Sequence, residues 1–202
     1  MVLALVTSPR VHFEQLVEEG FDHLSLKPSY PLKNYLVDLL ESFLDAKKLY
    51  PSEWTESGEK VHQTLAEIWL KALSSPPSVR IELLRNLGDR ALYVSGVFSE
   101  SLTRSLVDVD YYCEMGTLAF RVLSGEVREE THAHTYAKVS QHFVQCSDVL
   151  YFVAGKVGLR SEANLMRVYE RYLRTGSSLA KEELVQSGLW SNQLSRAKSY
   201  FD

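Results

Sequence analysis

Cysteine is scarce in this chain. It has two in 202 residues, Cys113 and Cys146, and no Cys-x-x-Cys pair. Structural zinc sites need more ligands than that, so cysteine-based zinc is excluded. Each thiol falls inside a helical pattern with apolar neighbours. Two reduced, half-buried thiols are expected, with a disulfide between their helices as the alternative. Proline is also sparse, and none of the six follows Pro76-Pro77. The second part of the chain is therefore free to form long helices joined by glycine turns. Long apolar runs are missing. The opening MVLALVTSPR has only five apolar residues after Met1, no basic region before them and no small-residue cleavage site. No signal peptide is expected. No stretch approaches the ~20 apolar residues that span a bilayer, so no membrane partner is expected and a cytoplasmic location is.

Excess charge of one sign is absent too. Lys+Arg is 22 against Asp+Glu 26, a net charge of −4. Residues 156–202 carry 8 basic and 5 acidic side chains, which leaves 14 and 21 for the rest. That tail is too mild to be an electrostatic footprint, and no nucleic-acid partner is expected. Walker A, Gly-x-Ser-x-Gly and His-Glu-x-x-His patterns do not occur, so the common phosphate-loop, hydrolase and zinc-peptidase chemistries have no signature here.

What the chain does have is helical periodicity, with no convincing hairpin signal. Ser8-Pro9 reads as an N-cap with proline at the first helical position. A short helix then runs toward Gly20. Pro31 opens a helix in which Leu32, Tyr35, Leu36, Leu39, Leu40 and Phe43 recur at spacings of three and four. After a polar loop containing Gly58, Val61, Leu65, Ile68, Trp69 and Ala72 repeat the pattern. Pro76-Pro77 ends it, and Ser78 offers a cap for a helix over about 79–98. Further helices are expected over about 108–123 and 131–154. Ser161 should cap the next, with Leu165, Val168, Tyr169 and Tyr172 on one face. Gly176 sits where a left-handed C-cap belongs. A last full helix follows Ser177 or Ser178 and ends at Gly188. The result is a single all-α domain, a bundle of roughly eight helices, with a possible lobe joint near Pro76-Pro77.

Candidate site residues cluster in two segments. In LGDRALYVSGVF, Gly88, Ala91 and Ser95 form a stripe of small residues that lets another helix approach, or makes room for a ligand. In VDVDYYCEMG, Asp108 is placed to cap, Val107 and Tyr112 to form a hydrophobic staple, and Asp110 to favour the helix dipole. Asp110 and Glu114 share one face, which also suits a carboxylate site. Di-metal bundles draw ligands from several helices, and no metal is expected from this pair.

The blocks LGDRALYVSGVF, VDVDYYCEMGTLAF, VYERYLRTGSSLAKEELVQSGL and YLVDLLESFL together resemble an uncharacterised family of all-helical bacterial proteins. The family pattern reads Leu-Gly-Asp-x-x-Leu-x-x-Ser-Gly-x-Phe, Asp-Tyr-Tyr-x-x-Met-Gly and Tyr-Glu-Arg-x-Leu-x-Thr-Gly-Ser. It often has Ala-Tyr where this chain has Ala119-Phe120, which removes a hydroxyl from the expected core. The resemblance covers most of the chain in scattered blocks and implies no mechanism.

His132, His134 and His142 lie too far apart, or on opposite sides of a helix, to share one ion. They read as a solvated face. SSLAKEELVQSGLWSNQLSRAKSY has the outline of a helix-turn-helix, but its second helix is short and only mildly basic, and Leu184 stands where a small residue is wanted. Eight of eleven tyrosines lie from Tyr93 onward. Buried hydroxyls need partners. Asp89, Asp110, Glu114, Arg104 and Arg171 are the candidates, in a polar network threaded through the core. The function expected first is a non-enzymatic interaction or regulatory protein, with an unidentified protein partner, no catalytic residues and no cofactor. The alternative is a small-ligand-binding protein or enzyme whose site, between helices 79–98 and 108–123, uses Asp89, Tyr93, Asp110, Tyr111 and Glu114.

Overall fold

A computed structural model describes residues 8–44, 52–54, 60–99, 102, 108–159 and 165–188. Among them are nine helices: α1 (Pro9–His23), α2 (Tyr30–Ser42), α3 (Leu65–Ser74), α4 (Pro77–Val97), α5 (Val109–Glu126), α6 (Glu130–Gln141), α7 (Phe143–Lys156), α8 (Leu165–Thr175) and α9 (Ser178–Gln186). The protein is an all-α bundle.

Local signals start most of these helices. Ser8 Oγ accepts from the Val11 amide with Pro9 at the first helical position. Thr64 and Glu67 form a capping box, in which each side chain satisfies the other's backbone amide. Pro77 occupies the first turn of α4, so the helix starts at the proline pair and not after a Ser78 cap. Gly176 (φ +69°) turns the chain between α8 and α9, and Ser177 caps α9 by accepting from the Ala180 amide at 3.0 Å.

Two further expectations about the elements need correction. A short antiparallel hairpin joins β1 (Ser52–Trp54) to β2 (Lys60–His62), with Glu53 opposite Val61. Val61 is therefore strand and not the start of α3. The single helix expected over 131–154 is two, broken at His142 (φ −119°, ψ 32°) without proline or glycine. The break lets α6 lie on α5 and α2 while α7 turns onto α4 and α1. Phe143, the first residue after it, packs over Gly116, where an added Cβ would stand 2.4 Å from the Phe143 ring.

Helices α4 and α5 form the centre, and the small-residue stripe explains how. A Cβ on Gly88 would stand 2.8 Å from the Phe120 ring, and Ala91 faces Gly116. The stripe therefore serves helix packing. Phe120 is fully buried, with Tyr35, Tyr136 and Phe143 around it at ring-centroid distances of 5.9, 5.9 and 6.2 Å. One hydrophobic cluster runs from Leu16 to Ala154 and includes residues on both sides of Pro76-Pro77, so the proline pair does not divide two cores. Helices α8 and α9 add a small cluster of Val168, Ala180 and Leu184. In α8 the inward face holds Val168 and Arg171, whereas Tyr169 is exposed. No helix among the described residues is long and apolar enough to cross a membrane. Val107, Ser161, Arg104, Gly58 and the second half of the helix-turn-helix outline lie outside the described residues.

Candidate functional site

Three helices meet around a polar cleft of about 270 Å³. Helix α2 supplies Tyr35 and Asp38, α4 supplies Arg85 and Asp89, and α6 supplies His132 and Tyr136. The residues reach the cleft by helical spacing. On α2, Leu32, Leu36 and Leu40 face the core, which turns Tyr35, Asp38 and Ser42 toward α6. On α4, Leu84, Leu87 and Ala91 are buried, and Arg85 and Asp89, one turn apart, share the cleft side.

Asp89 forms the floor. The Tyr35 hydroxyl donates to its Oδ1. Its Oδ2 lies 3.7 Å from Arg85 Nε, close enough for charge attraction but too long for a hydrogen bond. The Asp89 side chain is 19% exposed, whereas Arg85 is 60% exposed and sits at the rim. Burial pushes the Asp89 carboxyl up to about 6, against the opposing pull of the Tyr35 hydrogen bond and the Arg85 charge. The same burial, with the Asp89 charge, raises the Tyr35 phenol well above its ordinary value and keeps it a donor. Tyr136 stands edge-on to Tyr35 at 5.8 Å, and burial raises its phenol too. Asp38 is held by Arg10 at 2.7 Å. His132 pairs with Glu129, which also caps α6 by accepting from the Thr131 and His132 amides.

No family model matches the chain, and neither a curated protein nor a solved structure matches it.

The five residues singled out in the sequence are distributed as follows. Asp89 lines the cleft. Tyr93 instead packs on Phe43 and Phe98, at 4.6 and 5.7 Å, and borders an apolar groove of about 320 Å³. Asp110 is drawn to Arg174 of α8 at 3.5 Å, with Asp108 at 2.9 Å from the same guanidinium. Asp108 thus precedes α5 without a capping hydrogen bond from its side chain. Tyr111 stacks edge-on against Tyr112 at 5.7 Å, and Glu114 is exposed to solvent. The structure gathers Tyr35, Arg85 and Tyr136 around Asp89, and not the other four.

A second polar cluster lies in the core. Arg171, 4% exposed, donates to the Ser95 carbonyl at 2.8 Å, Ser147 Oγ at 3.1 Å and Asp148 Oδ1 at 2.9 Å. Ser177 Oγ donates to the same Oδ1 at 2.7 Å, and the Arg171 guanidinium covers the Tyr151 ring at 4.5 Å. A polar network therefore runs through the core, with Ser95, Ser147 and Ser177 joined to Arg171 and Asp148. The adjoining cavity, lined in part by Arg171, is about 30 Å³, room for about one water. This cluster fastens α8 and α9 to α4 and α7.

Cysteine chemistry is disfavoured. Cys113 and Cys146 are both buried and unpaired by disulfide. Burial pushes their thiols up to about 11 and about 12, so both stay protonated at neutral pH. His132, His134 and His142 are all exposed. No three of His, Cys, Asp and Glu gather around a possible metal position among the described residues.

Proposed function

We propose that this is a cytoplasmic protein that binds a small polar ligand in the cleft between α2, α4 and α6, and that binding, not turnover, is its activity. One observation carries the reading: Asp89 sits at the floor of a cavity of ligand size with a single hydroxyl as its hydrogen-bond partner. Asp148, which braces helices, differs in taking both a guanidinium and a hydroxyl on one oxygen. Concave shape, convergent polar groups and a displaced carboxyl pKa together are the usual marks of a binding site. The two buried, protonated thiols supply no nucleophile, which favours recognition over covalent catalysis. Membership of the bacterial family that the motifs resemble belongs to the same proposal. A net charge of −4 gives no support to a nucleic-acid ligand.

A thermal-shift screen over metabolites tests this reading. At least one compound should raise the Tm of the wild type, and Asp89→Asn should lose that shift. Asp110→Asn, whose carboxylate belongs to the Arg174 pair, should keep it. A screen with no stabilising compound, or a shift retained in Asp89→Asn, overturns the proposal.

A second reading, contact with a protein partner, is favoured by the apolar groove. Its lining includes Phe13, Leu40, Val97 and Val153, with the largely exposed Leu44 and Leu159 at its edge. A pull-down from native lysate that returns no specific partner would count heavily against it.

A further inference from the structure

The proposed cleft contains opposite charges that attract each other without forming a hydrogen bond. Arg85 and Asp89 are spaced i, i+4 on one helix, an arrangement that often closes into an ion pair. Here the closest approach is 3.7 Å, beyond hydrogen-bond range. Both charges line the cavity, Asp89 at its floor and Arg85 at its rim. Asp38 and His132, the other ionisable groups from the facing helices, are already engaged with Arg10 and Glu129. The Tyr35 hydroxyl is committed to Asp89 Oδ1, whereas Oδ2, 3.7 Å from Arg85, takes no hydrogen bond from either side chain.

This arrangement discriminates by charge. A simple amine would pair with Asp89 but come close to the Arg85 guanidinium. A simple carboxylate would pair with Arg85 but face Asp89. Either ligand leaves one protein charge worse off than before. A ligand with both charges on neighbouring atoms avoids this, because its ammonium can enter toward Asp89 while its carboxylate stays at the rim with Arg85. An α-amino acid carries the two groups on one carbon. The remaining lining offers Pro31, Leu39 and the Tyr136 ring to its side chain. A cavity of about 270 Å³ holds a ligand of this size, whereas the 30 Å³ space at Arg171 does not.

Resting on the ligand-binding reading above, we infer that the cleft takes a free α-amino acid as a zwitterion, its ammonium on Asp89 and its carboxylate on Arg85. Isothermal titration of the full chain with each of the twenty L-amino acids tests it. For the best binder, the matching amine without its carboxylate and the matching acid without its ammonium are titrated in parallel. At least one amino acid should bind saturably, and both truncated partners should bind at least about tenfold more weakly. Arg85→Gln and Asp89→Asn should each weaken the amino acid by a similar factor. Arg85 is mostly exposed, so its variant should fold, and circular dichroism checks both proteins. Saturable binding of no amino acid overturns the inference, as does an amine or acid that binds as tightly as the parent. If the metabolite screen instead finds an Asp89-dependent ligand without paired charges, the zwitterion inference fails and the ligand-binding reading stands. If binding survives in Asp89→Asn, both fall.

Discussion

Asp89→Asn should make the protein more stable at neutral pH, and the size of the gain follows from the structure. The Asp89 carboxyl is raised from 3.8 to about 6 in the folded state, with burial as the largest cause. The folded protein then binds this proton more tightly than the unfolded chain does. Stability from the group is complete below about pH 4 and is lost as pH rises through about 6. A gap of about two pH units, at about 1.36 kcal/mol each, amounts to roughly 3 kcal/mol. Asparagine has nearly the same shape, can still accept from the Tyr35 hydroxyl and cannot ionise. The variant should therefore match the wild type near pH 4 and exceed it by roughly 2–3 kcal/mol above about pH 7. Urea unfolding at several pH values measures this, with the difference between the two proteins as the readout. Taking the difference removes the contribution of other carboxylates. Glu67 and Glu129, both held below the usual carboxylate range, act in the opposite direction in both proteins. A difference that stays flat with pH, within about 0.5 kcal/mol, would refute the reasoning, because it would mean that Asp89 ionises in the fold at little cost.

Removing Arg171 should do the reverse. Arg171→Met leaves Asp148 buried with Ser177 as its remaining partner, and should cost about 3–5 kcal/mol in urea unfolding. The cost should shrink when Asp148→Leu is added, and a single-variant loss below about 1 kcal/mol would show that the pair is dispensable. Gly116→Ala places a methyl 2.4 Å from the Phe143 ring and should lose about 1–3 kcal/mol despite better helix propensity. Gly125→Ala meets nothing within 4 Å and should be neutral or gain up to about 1 kcal/mol. Equal unfolding midpoints for these two variants would contradict the packing described. Cys113 and Cys146 should resist Ellman's reagent in the native protein and react on unfolding; a rapid native reaction at Cys146 would contradict its burial.

The features legible in the sequence are those fixed by neighbouring residues. Ser8-Pro9, Pro31 and Gly176-Ser177 act through their own backbone geometry, and the structure places helix boundaries there. The hairpin at 52–54 and 60–62 pairs only three residues per strand, too few to establish a period of two. The break at His142 has no local breaker. It follows from what α6 and α7 pack against, with Phe143 seated over Gly116. The same limit governs the site. Asp89 could be singled out, but its partner Tyr35 is 54 positions away. The spacing of Asp110 and Glu114 indicated a shared face and could not indicate that Arg174, 64 positions from Asp110, lies opposite the first of them. Asp148 gave no signal either, because a single acid within an apolar helix looks the same whether it faces solvent or a buried arginine.

The contrast between the two carboxylates separates structure from function. Asp148 is fully buried, yet one oxygen takes Arg171 and Ser177, and the pair joins four helices. Deleting either partner should destabilise the fold, so packing alone accounts for a charge there. Asp89 is different. Its charge is opposed by burial, its arginine stands off at 3.7 Å, and asparagine should hold the same Tyr35 hydroxyl at lower cost. The Tyr35 hydroxyl needs only an acceptor at this position, which asparagine also offers. A ligand whose ammonium lies against Asp89 gives a reason for aspartate, because it would bring a charged donor into hydrogen-bond range, which Arg85 at 3.7 Å does not. A carboxylate that lowers the stability of the free protein and gains a partner on binding is what a recognition site is expected to contain.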